Sequence, residues 1–171
     1  MEGSLSELPD FVQLGRTLLA YTMWADRHHL DVLAGIAEEH LTVPTGSSFG
    51  SLLGTMAHIL GSEQVWMSRF MGAPIERPNE SDWADLAAVR AGFEELWPSM
   101  EFFLAALNAE QLDSELAWIS RGGNPYQARL WQALVHMSHH GAYHRGQITT
   151  MLRQLGYDAR ATDLIKYYAS Q

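Results

Sequence analysis

Apolar residues recur along most of this chain at steps close to 3.6, the period of an amphipathic helix. Phe11, Leu14, Leu18, Tyr21, Ala25, Val32 and Ile36 mark a first helix over residues 8–38. The stretch "TVPTGSS" breaks it, and Ser48 is placed to cap the next helix. Leu52, Leu53, Met56, Leu60, Met67 and Phe70 mark this second helix, stopped by the loop residues Gly72, Pro74 and Pro78. Ser81 or Asp82 then caps a third helix running to about Leu107, with a kink expected at Pro98. "LAWISRGGNPYQA" departs from the pattern: Trp118 and Ile119 favour strand, and Gly122-Gly123 favours a turn. A short hairpin or irregular excursion fits it. Helical spacing returns from Arg129 to Leu155, stops at Gly156, and a short last helix spans Thr162–Tyr168.

Four long helices imply an all-α, up-down four-helix bundle, with the excursion before the fourth long helix and a short C-terminal helix. The length of 171 residues suits a single domain over 1–171 with its own core. Asp and Glu outnumber Lys and Arg by 20 to 11, for a net charge of -9, so a nucleic-acid partner is not expected. No apolar run has membrane length and the N-terminus is acidic, so the expectation is a cytoplasmic protein with no membrane partner. There is no cysteine, which excludes disulfides, thiolate metal sites and a cysteine nucleophile.

The eight histidines carry the chemical signal. His140 and His144 are four apart, so both project from one helix face and can reach one ion. His136 extends the line, but each step of four drifts by about 40°, too much for three to converge. His139 points elsewhere. The pair needs a third ligand from a neighbouring helix, and His58, alone in the middle of the second helix, is the candidate. Gly54 and Gly61 flank it, and Gly141 and Gly146 flank the pair. Each internal glycine costs about 1 kcal/mol against alanine, so the four together predict close helix approach around the site. Core packing or surface exposure is the expectation for His28, His29, His136 and His139, and the surface for His40. Neutral imidazole suits zinc, nickel, iron and copper, and three protein ligands leave coordination open for water or a substrate thiolate. A proton-transfer group for a hydrolase is not evident. Glu63 lies five residues past His58 and off its face, and Asp26 is on the first helix with no assigned direction.

These residues give the chain a resemblance. "LLAYTMWADRHHL", "SFGSLLGTMAHILGSEQVWMSRFMG", "LVHMSHHGAYHRGQITTMLRQLGY" and the closing "TDLIKYY" are similar to the DinB-like superfamily of metal-binding four-helix bundles. The combination of a mid-helix His58 with Trp66 and Arg69, then His-x-x-x-His-Arg-Gly-Gln, is more specific than the histidine pair alone. The resemblance implies a metal triad of His58, His140 and His144 holding nickel or zinc. It also implies that His136 is a core histidine or a support to the ligands, and that two copies form a homodimer. Relatives include S-transferases and isomerases dependent on mycothiol or bacillithiol, implying a small-molecule substrate and a low-molecular-weight thiol. A metal-dependent hydrolase and a non-catalytic metal- or ligand-binding bundle remain the alternatives. Asp26 stands where relatives often carry Asn. Gln147 is a candidate support for a liganding imidazole and Arg145 a candidate for an ion pair between helices, while Trp66 and Arg69 are read as fold determinants.

Overall fold

The structure, a computed structural model, describes residues 10–73, 83–120 and 122–171. Its elements in chain order are α1 (Phe11–Leu33), α2 (Glu38–Leu41), α3 (Leu52–Phe70), α4 (Leu86–Ala106), α5 (Ala109–Asp113), β1 (Glu115–Ile119), β2 (Pro125–Arg129), α6 (Leu130–Gln154) and α7 (Leu164–Ala169). The long helices α1, α3, α4 and α6 form the bundle. α1 packs on α4 and α6, and α3 packs on the same two. The chain therefore crosses the bundle between α1 and α3, using residues 34–51 and the single turn of α2.

Local chemistry sets the helix ends. Asp10, Ser51 and Asp85 each accept a hydrogen bond from the backbone N–H three residues on, at 2.6, 3.1 and 2.8 Å, which satisfies one of the donors orphaned at a helix start. The cap of α3 is thus Ser51 rather than Ser48. Gly50, at φ 76°, turns the chain into that cap in a conformation side chains resist. The expected caps Ser81 and Asp82, with Pro74 and Pro78, lie outside the described residues, and α4 starts from Asp85. That helix runs through Pro98 without interruption. α1 is shorter than its apolar spacing suggests: a turn ends it after Leu33, and α2 is a separate element.

The core is continuous across all four long helices and includes Leu19, Leu30, Leu60, Phe93, Met100, Leu134 and Ile148. On α3, Leu52, Leu53, Met56, Leu60, Met67 and Phe70 are buried as the spacing requires. On α1 Tyr21 and Ala25 of the expected stripe are buried, but the buried face also carries Leu19, Thr22, Asp26, His29, Leu30 and Leu33, while Phe11 and Leu14 stand exposed. A polar residue at three of those positions is what hides this face from an apolar count.

The excursion before α6 is a hairpin. β1 and β2 pair antiparallel with Trp118 opposite Tyr126 and Ile119 opposite Pro125. Gly123 at φ 80° makes the turn, and the Trp118 and Tyr126 rings stack at 5.7 Å. At the other end α7 straps back over α1: Tyr21 donates its hydroxyl proton to the Thr162 carbonyl at 2.8 Å, and Tyr167 packs edge-on against Tyr21 and Trp24. Among the described residues no helix is long and apolar enough to cross a membrane.

Candidate metal centre

His58 on α3 faces His140 and His144, one turn apart on α6, across the contact between those helices. One ring nitrogen from each of the three lies within 4.8 Å of the others. His58 Nε2 and His140 Nε2 are 3.2 Å apart. The ring centroids are separated by 5.1 Å (58 to 140), 4.7 Å (58 to 144) and 4.5 Å (140 to 144). His144 is buried, and His58 and His140 are half-buried.

Gln147, one turn after His144, fixes the tautomer of that ring. Its Oε1 accepts the Nδ1 proton at 2.8 Å, and in the neutral ring that bond leaves the lone pair on Nε2. Burial, and then His144 and His58, push His140 down to about 3, and it is neutral at neutral pH. Phe49, in the turn before α3, lies flat on His58 with centroids 3.6 Å apart and rings 13° from parallel; its edge meets His144 at 5.3 Å. Sequence spacing gave no hint of this loop residue.

The donor set fits a divalent ion. Three neutral imidazoles are a common zinc and nickel donor set. Two nitrogens bound at about 2.0–2.1 Å in tetrahedral geometry stand roughly 3.3 Å apart, close to the 3.2 Å observed between His58 and His140. The three histidines could therefore hold one ion.

Next to the triad, a charged cluster sits in the core. Arg145 on α6, Asp26 on α1 and Glu63 on α3 are each at most 1% exposed. Arg145 Nη1 donates to Asp26 Oδ1 at 2.8 Å, and its guanidinium lies over the Tyr21 ring at 5.4 Å. Asp26 Oδ2 and both Glu63 oxygens are buried with no hydrogen-bond donor aimed at them among the described residues. Burial and then the charge of Asp26 push the Glu63 carboxyl well above its usual range, which favours its neutral, protonated form beside Asp26. Burial raises Asp26 too, against the opposing charge of Arg145. Glu63 is off the face of His58, as expected, but the face it occupies is the core.

Three of the glycines around the histidines, Gly54, Gly141 and Gly146, do not mark helix-to-helix approach. A Cβ on Gly54 would sit 2.2 Å from the Phe49 carbonyl oxygen, so this glycine lets the Phe49 turn fold onto α3. A Cβ on Gly141 would sit 2.7 Å from Arg145 Nη1, and one on Gly146 would meet nothing within 4 Å. The remaining histidines lie apart from the triad. His29 is core, its Nδ1 3.0 Å from the Ala25 carbonyl oxygen, and burial pushes it down to about 4. His28 is half-buried against Trp24. His40 is half-buried rather than on the surface, 2.8 Å from the Tyr157 hydroxyl. His139 is exposed. His136 is exposed as well, not core; its ring is 6.0 Å from His140 and edge-on to Trp66 at 5.1 Å. The Arg69 guanidinium lies over Trp66 at 4.4 Å and Trp118 at 5.1 Å, tying the hairpin to α3.

Comparison with known proteins agrees with this architecture. The sequence profile of the "DinB family" matches residues 9–171. Protein DinB of Bacillus subtilis (strain 168) is 26% identical over 154 residues, covering 85% of this chain and 88% of the relative. The crystal structure of a DinB-like protein from Bacillus cereus ATCC 10987 superposes with a TM-score of 0.61 at 19% identity, covering 84% of this chain and 94% of that one. With the profile spanning nearly its whole length, the chain belongs to the DinB family.

Proposed function

We propose that His58, His140 and His144 hold one nickel or zinc ion, and that the protein is a metal-dependent enzyme joining a low-molecular-weight thiol to an electrophilic small molecule. The observation that carries this reading is the convergence of three imidazole nitrogens within 4.8 Å, with Gln147 setting the tautomer of one ring. A divalent ion on three neutral imidazoles retains open coordination and favours the deprotonated form of a thiol or water presented there.

The chain's own residues prepare the position. Gln147 holds the His144 ring by its Nδ1 proton, so the ring cannot turn its lone pair away. Phe49 covers one face of His58 and shields it from water. The Arg145–Asp26 pair, with Glu63 beside it, fixes α6 against α1 and α3 one residue beyond His144. Metal-activated hydrolysis asks for a proton-transfer group at the attacking water. Asp26 is engaged by Arg145 in the core and Glu63 is buried beside the pair, and that placement favours the thiol reading. Pairing of two copies into a homodimer belongs to the same proposal.

Untagged protein loaded with zinc or nickel should turn over an electrophile only with bacillithiol or mycothiol present, and should lose that activity on chelation. Turnover without thiol, rising with pH, would replace this reading by hydrolysis. A metal-stabilised fold with no turnover would leave a non-catalytic metal-binding bundle.

A further inference from the structure

Beside the histidines the surface opens into a groove of about 460 Å³. One wall is the turn carrying Thr45, Ser47 and Ser48; the other is the α6 face carrying Tyr143, Gln147 and Thr150. We propose that this groove is a second small-molecule site, for an uncharged, hydroxyl-rich ligand, and that its occupancy is transmitted to the ion position through Gln147.

The ligand class comes from the lining. Every polar side chain there is a hydroxyl or a primary amide, and none carries a formal charge. Such groups pair with ligand hydroxyls in both directions, as donors and as acceptors. An anionic ligand would find no cation in the groove and would approach a chain of net charge -9. The Tyr143 ring, 66% exposed at the rim, offers an apolar face to the C–H side of a sugar-like ring. Gly146 forms part of the lining, and the absence of any atom within 4 Å of its would-be Cβ keeps the groove open.

Placement separates this site from the ion. Gln147 meets His144 at Nδ1, the ring edge away from Nε2, so an occupant contacting Gln147 lies behind the ligand rather than on the metal. The Gln147 amide presents its oxygen to His144, and its N–H groups remain for the groove. A ligand oxygen accepting from those N–H groups polarises the amide, strengthens the bond at Nδ1 and makes Nε2 a better donor. The same turn that walls the groove continues into Phe49, stacked on His58. By linkage the effect is reciprocal: metal must tighten the ligand by the factor that ligand tightens metal. This coupling rests on the proposed triad, whereas groove binding does not.

The test uses nitrogen-15-labelled, zinc-loaded protein titrated with methyl α-glucoside and with maltose, and with glucose 6-phosphate as the charged control. Saturable movement of the Gly146, Gln147 and Thr150 amide signals by the neutral sugars, weaker with the phosphate ester, is expected. Gly146→Leu, which fills the groove from a position with open space, should abolish it while the other signals and zinc binding persist. No saturable movement with either neutral sugar, an equal response to the phosphate ester, or a full response in Gly146→Leu overturns the site. Zinc affinity, read by chelator competition, should rise about fivefold with maltose, the low end of site-to-site coupling, and should not respond in Gln147→Ala. An unchanged zinc affinity overturns the coupling. Sugar-induced shifts in a wild-type protein that binds no zinc would overturn the triad and the coupling and leave the groove standing.

Discussion

Arg145 reaches from α6 to Asp26 on α1, Nη1 to Oδ1 at 2.8 Å, with both side chains sealed from solvent. Removing one member of such a pair strands the other's charge, which costs about 3–5 kcal/mol. Arg145→Met should therefore lower unfolding free energy by about that amount. Glu63→Gln keeps the shape of a neutral acid and should stay within about 1 kcal/mol of the parent at neutral pH. Urea unfolding of both variants checks this. A large loss in Glu63→Gln would show that Glu63 is needed as an anion.

The same burial gives stability a pH dependence with two opposite limbs. His29, pushed from 6.5 to about 4, stays neutral when folded but takes a proton when unfolded. Its contribution is present above 6.5 and is lost as pH falls toward 4, by on the order of 3 kcal/mol in all. Glu63, raised from 4.5, has the reverse sign: its contribution is full below 4.5 and declines as pH rises above that value. Unfolding midpoints measured across this range should show a flatter acid limb in His29→Leu and a flatter alkaline limb in Glu63→Gln.

Gly141 and Gly146 lie in one helix, yet alanine should act on them in opposite directions. Helix propensity favours alanine at both by about 1 kcal/mol. At Gly146 nothing lies in the way, so Gly146→Ala should stabilise by up to about that amount. At Gly141 the new methyl would press on the Arg145 guanidinium at 2.7 Å, a group already committed to Asp26. Gly141→Ala should destabilise, as thermal unfolding of the two variants will show.

Gln147→Ala removes the acceptor that holds the His144 ring. Loss of such a supporting bond weakens metal binding about 10- to 100-fold. Chelator competition measures it, and the fold, read by circular dichroism, should be intact.

The convergence of His58, His140 and His144 was legible because its signal is local. An i, i+4 pair shares a face whatever surrounds it, and His58 is the single histidine of its helix. The long helices were legible through their apolar period, and the hairpin through Trp118, Ile119 and the glycine pair. The buried charges were not. Thr22, Asp26 and His29 occupy the inner face of α1, where a hydrophobic count reads them as solvent-facing and turns the stripe toward Phe11 and Leu14. Thr22 and His29 are satisfied within α1 by the Leu18 and Ala25 carbonyls, but Asp26 depends on its long-range meeting with Arg145, which no spacing rule encodes. Phe49 was hidden for another reason: it sits in a turn with no period, placed by the positive φ of Gly50 and the missing Cβ of Gly54. Gly54 and Gly141 carried real steric information, but about a turn and an arginine rather than about neighbouring helices.

Elemental analysis of untagged protein and of its single histidine variants tests the central claim most directly. One nickel or zinc ion per chain is predicted for the parent and for His139→Ala, with sharp loss in His58→Ala, His140→Ala and His144→Ala at equal folding. A full complement of metal in any of those three, or loss of metal in His139→Ala equal to theirs, would contradict it.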